Sequence, residues 1–201
     1  MLDYWFETLE HAGVAEVLVN LHHHADQVQK HIDRLSTGLR IETVYEPELL
    51  GSAGTISKNW DFVGGEESFL IIYADNFARI DLSRLTKFHR NKGNPILTLV
   101  AYRTPEPYRC GIVELDHEGR VLSFQEKPAF PKSDLANSGI HAASPELHAY
   151  LPRTTPADLG FHVLPRLSGQ MFGYVTDEYI QDIGSPEAYA RVQELFTLRA
   201  N

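Results

Sequence analysis

The 201-residue sequence is poor in several residue types, and each shortage excludes a class of protein. It contains a single cysteine, Cys110, which excludes an internal disulfide and a zinc site built from several cysteines. No apolar run approaches the ~18 residues of a membrane span, and the first residues lack the basic start and apolar core of a secretory signal. We therefore expect a cytoplasmic protein with no membrane partner.

Basic residues are also scarce. Lys and Arg number 18 against 27 Asp and Glu, and the formal net charge of −9 argues against general nucleic-acid binding. The 14 glycines and 11 prolines are too few for a low-complexity chain, and 43% of the residues are hydrophobic. Because a domain usually holds about 150 residues, we expect one domain over residues 1–201.

The order of apolar patterns predicts an α/β fold. Amphipathic stripes predict helices that alternate with short apolar strands, the strands at 16–20, 41–45, 69–73 and 96–102. This alternation implies a Rossmann-like, mostly parallel sheet with helices on both faces. In the second half, segments 110–115 and 121–126 flank a turn at 116–119 and predict a β-hairpin, and 137–143 is a further strand.

Ligands of open parallel sheets bind beyond the carboxyl ends of the strands. Asp75 follows such a strand, where it could hold Mg²⁺ through carboxylate oxygens or simply cap the next turn. Asp182 precedes the last predicted helix, and it could be a second metal ligand or a turn aspartate before Gly184.

Two further segments have both a functional and a structural interpretation. The turn 50–54 is rich in small residues, which would let a flat ligand approach the backbone and the free amides of the next helix, or would merely allow a tight turn. Glu126 could accept sugar hydroxyls and Lys127 could meet a phosphate, or the two could be an exposed charge pair.

Two other groups predict no site. Adjacent His22, His23 and His24 point in different directions and do not preorganise a tetrahedral metal site. Cys110 has no activating partner nearby in the sequence, so we expect an inert hairpin thiol.

The order of these segments carries more information than any one of them. Together they resemble the sugar-phosphate nucleotidyltransferases, which make nucleotide-diphosphate sugars, and within them the mannose-1-phosphate guanylyltransferase group. The matching stretches are Glu46 with LGSAGTI at 50–56, IIYADN at 71–76, EKP at 126–128, NSGIH at 137–141 and QDIGSPEAY at 181–189.

The resemblance implies a role for each matched residue. Asp75 and Asp182 would hold catalytic Mg²⁺, and Lys127 would orient the sugar phosphate. The nucleotide-binding residues would be Gly51, Ser52, Ala53 and Gly54, and the sugar-phosphate site would comprise Glu126, Lys127, Asn137 and Gly139. The implied reaction is attack by a sugar-1-phosphate, as expected mannose-1-phosphate, on the α-phosphorus of a nucleoside triphosphate, as expected GTP, with release of pyrophosphate.

The sequence departs from the family pattern in two places. Ala74 stands where the family usually has glycine. The family's opening strand and its glycine-rich loop have no counterpart here, so we expect an N-terminally truncated domain that lacks the first central strand and turns over slowly or not at all.

The alternatives follow from that expectation. One is an inert relative that binds sugar phosphate or another protein. A metal-dependent glycosyltransferase would usually place two aspartates one residue apart after a strand, whereas here Phe77 occupies the second position. A homo-oligomer is compatible with the sequence.

Overall fold

A computed structural model of the chain describes residues 1–197, and residues 198–201 of the predicted domain lie outside that description. The helices are α1 (Leu2–His11), α2 (Ala25–Ile32), α3 (Ser52–Lys58), α4 (Leu82–Asn91) and α5 (Pro186–Thr197). The strands are β1 (Glu16–Leu21), β2 (Arg40–Tyr45), β3 (Phe69–Ile72), β4 (Asn76–Ala78), β5 (Leu97–Arg103), β6 (Gly111–Leu115), β7 (Val121–Glu126), β8 (Leu135–Ala143), β9 (Met171–Val175) and β10 (Ile180–Asp182).

The long strand β8 organises the six-stranded sheet. It pairs antiparallel with β5 along one edge, and with β3 and β6 in succession along the other. β5 carries β9 in parallel on its far side, and β6 carries β7 as the other half of the predicted hairpin. The predicted α/β class is confirmed, with a mixed sheet.

Side chains on the two faces of this sheet enter two separate apolar clusters. Along β5, Leu97, Leu99 and Ala101 enter a cluster that includes α3 and the turns after β8, whereas Val100 enters the cluster that contains α1 and α4. This alternation follows from the two-residue repeat of a strand. Because both faces are covered, β5 and β8 are almost continuously buried.

Strands β1 and β2 form a separate parallel pair. Among the residues described, β1 pairs only with β2, and β3 pairs only with β8. Side chains of both pairs, such as Val17 and Leu70, pack against the same apolar cluster. The small pair is therefore joined to the rest of the fold by side-chain packing and loops rather than by a shared backbone ladder.

The segment after β8 differs from a simple helix. The sequence Ser144-Pro145-Glu146 predicts a helix start, and the structure has a 3-10 turn over Pro145–Tyr150. Residues 159–163 form one π-helical turn, and 164–167 continue as a 3-10 turn. No helix in the described part of the chain is long and apolar enough to cross a membrane.

Truncating a β5 side chain tests the two-sided burial of the sheet. We expect Leu99→Ala to lower the free energy of unfolding by about 2–5 kcal/mol, because the Leu99 side chain is fully buried and would leave a cavity. The matched change Leu122→Ala, at a β7 position that is 57% exposed, should stay within about 0.5 kcal/mol. Urea unfolding measures both, and equal effects of the two variants would contradict the assignment of the core.

Candidate active site

Two acidic side chains meet where the short strands β4 and β10 pair. Asp75 lies directly before β4, and Asp182 is the last residue of β10, opposite Asn76 in the antiparallel register. The backbone amide of Ile183 donates to the carbonyl oxygen of Asp75 at 2.9 Å. The structure therefore brings together the two aspartates that the sequence predicts as metal ligands.

The electrostatics of this pair suit a cation. Loss of surrounding water raises the pKa of Asp75, and the negative charge of Asp182 raises it further. One Asp182 oxygen accepts from the Gly184 amide at 2.7 Å. Within residues 1–197 no group of three or more His, Cys, Asp or Glu could hold a metal. Two carboxylates are enough for Mg²⁺, which completes its shell with water and substrate phosphates, so this donor set fits Mg²⁺.

Glu126 and Lys127 stand at the end of the hairpin strand β7. The amide of Lys127, which has φ +46°, donates to the carbonyl of Cys110 and so turns the chain out of the strand. Neither side chain makes a hydrogen bond or ion pair with the residues described. Burial raises the pKa of Glu126, the positive charge of Lys127 lowers it, and the negative charge of Asp158 raises it. Both groups are therefore free to bind a ligand.

Strand β8 presents the third part of the site. The Oδ1 atom of Asn137 accepts from the Gly139 amide at 3.2 Å and lies 3.0 Å from Nε2 of His141. His141 is fully buried, and burial lowers its pKa to about 4, so the neutral ring donates its Nε2 proton to that oxygen. The Asn137 amide group keeps its two N–H donors for other partners.

Gly139 is required where β8 passes the end of β3. Its φ is +74°, and a Cβ atom there would stand 2.9 Å from the Tyr73 ring. Burial raises the pKa of the Tyr73 hydroxyl, an interaction with the Ser52 side chain lowers it, and the charges of Asp158, Glu126 and Asp75 raise it. Tyr73 thus lies within electrostatic range of the loop 50–54, the Glu126–Lys127 pair and the aspartate pair.

The predicted nucleotide loop is held from behind by the segment 157–160. The amides of Ala53 and Gly54 both donate to the carbonyl of Ala157, at 2.9 and 3.1 Å, so the expectation that these helix amides are free is wrong. At Gly51, φ is +75° and a Cβ atom would stand 2.8 Å from the Ala157 carbonyl carbon. The residue directly after the loop is also fixed. The buried Glu46 accepts a hydrogen bond from Thr55 Oγ1 at 2.6 Å.

Asp158 is a site residue that the sequence analysis missed. Its Oδ2 accepts from Ser52 Oγ at 2.9 Å, and its Oδ1 accepts from the amides of Gly160 and Phe161 at 2.8 and 3.3 Å. The short-range capping pattern of an aspartate two residues before a glycine is readable from the sequence. The bond to Ser52 is not, since it spans 106 residues.

The histidine run lies apart from these groups, at the end of β1. His22 Nδ1 lies 2.7 Å from the carbonyl oxygen of Glu46, and the rings of His23 and His24 contact each other. They take part in no metal-ligand cluster among the described residues. Burial raises the pKa of the Cys110 thiol, which disfavours its reactive thiolate form.

Comparison with known protein families matches residues 1–198 to the family described as nucleotidyl transferase. The chain belongs to the nucleotidyl transferase family. The sugar-phosphate branch predicted from the motif order is supported by the relatives that the chain matches.

Individual relatives place this nucleotidyl transferase among sugar-phosphate enzymes of differing specificity. It is 30% identical to UTP–glucose-1-phosphate uridylyltransferase of Synechocystis sp. over 94% of this chain and 53% of the relative. It is 31% identical to mannose-1-phosphate guanylyltransferase of Mycobacterium tuberculosis over 79% of this chain and 45% of that protein. The chain thus spans about half the length of these curated relatives.

Solved structures match the fold more fully. The crystal structure of HddC from Yersinia pseudotuberculosis superposes with a TM-score of 0.80 at 25% identity, covering 97% of this chain and 84% of HddC. HddC complexed with GMP-PN superposes with a TM-score of 0.77 at 26% identity, covering 94% of this chain and 82% of that one. The nucleotidyl transferase fold is therefore matched at the level of structure as well as sequence.

The raised pKa of Glu126 in this nucleotidyl transferase predicts a pH-dependent stability. A carboxyl whose pKa is higher in the folded state stabilises the fold while protonated, and that contribution is lost as the pH rises through the folded pKa. We therefore expect Glu126→Gln to gain stability relative to the parent as the pH rises above the ordinary glutamate pKa of about 4.3.

Urea unfolding at several pH values measures this difference. Glu118→Gln, at an exposed acid in the hairpin turn, is the matched control for removal of a carboxyl. A Glu126→Gln profile that does not differ from that of the control would contradict the assigned environment of Glu126.

Proposed function

We propose that this chain is the catalytic nucleotidyltransferase domain for a sugar-1-phosphate, with GTP and mannose-1-phosphate as its substrates. The observation that carries the proposal is the arrangement of three elements near Tyr73: the Asp75–Asp182 pair, the Glu126–Lys127 pair and the loop 50–54. Asp158 and Gly160 join the last two elements. Family membership supports transfer of a nucleotidyl group to a sugar phosphate in general.

The charge balance of the site supports a metal-dependent reaction. The site contains four carboxylates, each of which affects the pKa of a neighbouring group, and Lys127 supplies a positive charge beside Glu126. The four carboxylates are those of Asp75, Asp182, Glu126 and Asp158. A triphosphate could not enter so acidic a site without compensating positive charge. Enzymes of this family generally use a divalent cation. Mg²⁺ held by Asp75 and Asp182 would neutralise the phosphates and favour in-line attack.

The protein groups then have distinct roles. The Glu126 carboxylate accepts hydroxyl groups of the sugar, and the Lys127 ammonium orients the attacking phosphate. The Asn137 amide group, fixed by His141, donates to the sugar. Phosphoryl transfer of this kind depends on positioning and charge neutralisation, so no covalent intermediate on the protein is needed.

The choice of nucleotide and sugar rests on the motif order and on one matched structure. The motif order is closest to the mannose-1-phosphate guanylyltransferase group, and HddC, whose structure matches, was crystallised with GMP-PN. Relatives named for UTP with glucose-1-phosphate also match. Purified protein should be assayed with each nucleoside triphosphate against mannose-1-phosphate and glucose-1-phosphate, with GTP and mannose-1-phosphate expected to give the highest kcat/KM.

Pyrophosphate release tests the metal pair. We expect Asp75→Asn and Asp182→Asn each to lower kcat by at least about 100-fold, because even outer-shell partners of a metal contribute 10- to 100-fold. Asp61→Asn, at an exposed aspartate in the turn 60–62, is the matched control and should retain full activity. Equal activity of all three variants would exclude the proposed metal site.

Ligand binding tests the Glu126–Lys127 pair separately from catalysis. We expect Lys127→Met to weaken mannose-1-phosphate binding by about 10- to 100-fold, the worth of a charge-assisted hydrogen bond, with Lys87→Met as the exposed control. Isothermal titration calorimetry with mannose-1-phosphate, without a nucleoside triphosphate, measures this change. Binding without any pyrophosphate release in the parent protein would instead support the inert sugar-phosphate binder.

A further inference from the structure

The segment 157–160 contacts two parts of the site that are remote in sequence. On the side of the predicted nucleotide loop, the Ala157 carbonyl oxygen accepts hydrogen bonds from the amides of Ala53 and Gly54. The Ala157 amide donates to the carbonyl oxygen of Leu50 at 2.7 Å. Ser52 Oγ donates to Asp158 and accepts from the Leu159 amide at 2.8 Å. The loop 50–54 therefore cannot move without this segment.

On the sugar side, the same segment forms the surface against which Glu126 lies. A Cβ atom at Gly160 would stand 2.9 Å from Cδ of Glu126, so the carboxylate packs directly on the glycine backbone. Gly160 is buried, and its amide is held by Asp158 Oδ1 at 2.8 Å. The Oδ2 atom of Asp158 thus holds Ser52 in the loop 50–54, and its Oδ1 atom holds Gly160, against which Glu126 packs.

We propose that Asp158 is a positioning residue that sets the location of the Glu126 carboxylate for binding of the sugar phosphate. This inference rests on the proposed function, in which Glu126 accepts sugar hydroxyls. Asp158 acts through Gly160 and Ser52, and its carboxylate oxygens are occupied by Ser52 Oγ and by the amides of Gly160 and Phe161.

The hydrogen bonds of Asp158 and its negative charge have separate effects, and substitution with asparagine distinguishes them. Its hydrogen bonds hold Gly160 and the loop, and an asparagine can still accept from the Gly160 amide through its oxygen. Its negative charge adds to burial in raising the pKa of Glu126, and an asparagine removes that charge. The other charged or titratable groups near Glu126 are Lys127, Tyr73 and Cys110, and they are the same in both variants.

The experiment compares Asp158→Asn and Asp158→Ala with the parent by isothermal titration of mannose-1-phosphate across pH. We expect Asp158→Ala to weaken binding by about 10- to 100-fold, as does loss of a charge-assisted hydrogen bond. Asp158→Asn should bind within about threefold of the parent at neutral pH. Its loss of affinity on acidification should occur at a lower pH than in the parent, because Glu126 stays ionised to lower pH.

Matched variants distinguish positioning from a general loss of structure. Asp116→Ala and Asp116→Asn remove a hairpin-turn aspartate that also accepts backbone amides, from Glu118 and Arg120, and should leave binding and its pH profile unchanged. Gly160→Ala should mimic Asp158→Ala, because the added methyl would displace the Glu126 carboxylate. If Asp158→Ala does not fold, Gly160→Ala and Asp158→Asn carry the test.

A ligand-free measurement separates this inference from the proposed function. Carbon-13 NMR of the Glu126 carboxyl, assigned with Glu126→Gln, should show a lower titration midpoint in Asp158→Asn than in the parent. An unchanged midpoint together with unchanged binding in Gly160→Ala would overturn the positioning role. Failure of the parent to bind any sugar-1-phosphate, with the midpoint shifted as expected, would overturn the proposed function and leave the link between Asp158 and Glu126 intact.

Discussion

The two-sided burial of strand β8 is the constraint on which the rest of the structure depends. Its backbone is paired on both edges, with β5 on one and with β3 and β6 on the other, so its path is fixed by hydrogen bonds along its length. Ile140 and Ala142 face one core cluster and Ala143 faces the other. Because Asn137 and Gly139 lie on this strand, the predicted sugar side of the site is built on an element that is paired along both edges.

The site combines this rigid base with groups that the fold leaves unsatisfied. The carboxylate of Glu126 and the ammonium of Lys127 make no hydrogen bond or ion pair with the residues described, although burial already disfavours the charged form of Glu126. Such an arrangement lowers the stability of the free protein and is offset when a ligand supplies the missing partners. Asp75 and Asp182 repeat this pattern with like charges, which a bound cation would relieve.

The sequence predicts the elements better than their contacts. The apolar run 69–73, the hairpin around 116–119 and the last helix, predicted after Asp182, all depend on local patterns, and the structure has an element at each place. That Asp75 and Asp182 lie together depends on the pairing of β4 with β10, two three-residue strands too short to predict from periodicity. The motif order predicts both aspartates as site residues, whereas their proximity is evident only from the structure.

Asp158 marks the limit of that reasoning. Its local capping bonds follow from residue type and spacing, but its partner Ser52, at the start of α3, lies 106 residues away in the sequence. The turn 50–54 likewise predicts free amides at the start of the next helix, whereas the structure shows that the carbonyl of Ala157 accepts from the amides of residues 53 and 54. Contacts that close over long sequence separations carry little local signal.

The separation of the β1–β2 pair from the six-stranded sheet has a consequence for how the molecule opens. Because no backbone ladder joins the pair to β3 among the residues described, its amides can be exposed by breaking the β1–β2 ladder and its side-chain packing while the six-stranded sheet stays intact. Native-state hydrogen exchange should then resolve two cooperative units, with the amides of β1 and β2 exchanging at a lower free energy than those of β8. Glu46 follows β2 directly and accepts a hydrogen bond from Thr55, so opening of the smaller unit would also break one of the contacts that hold α3.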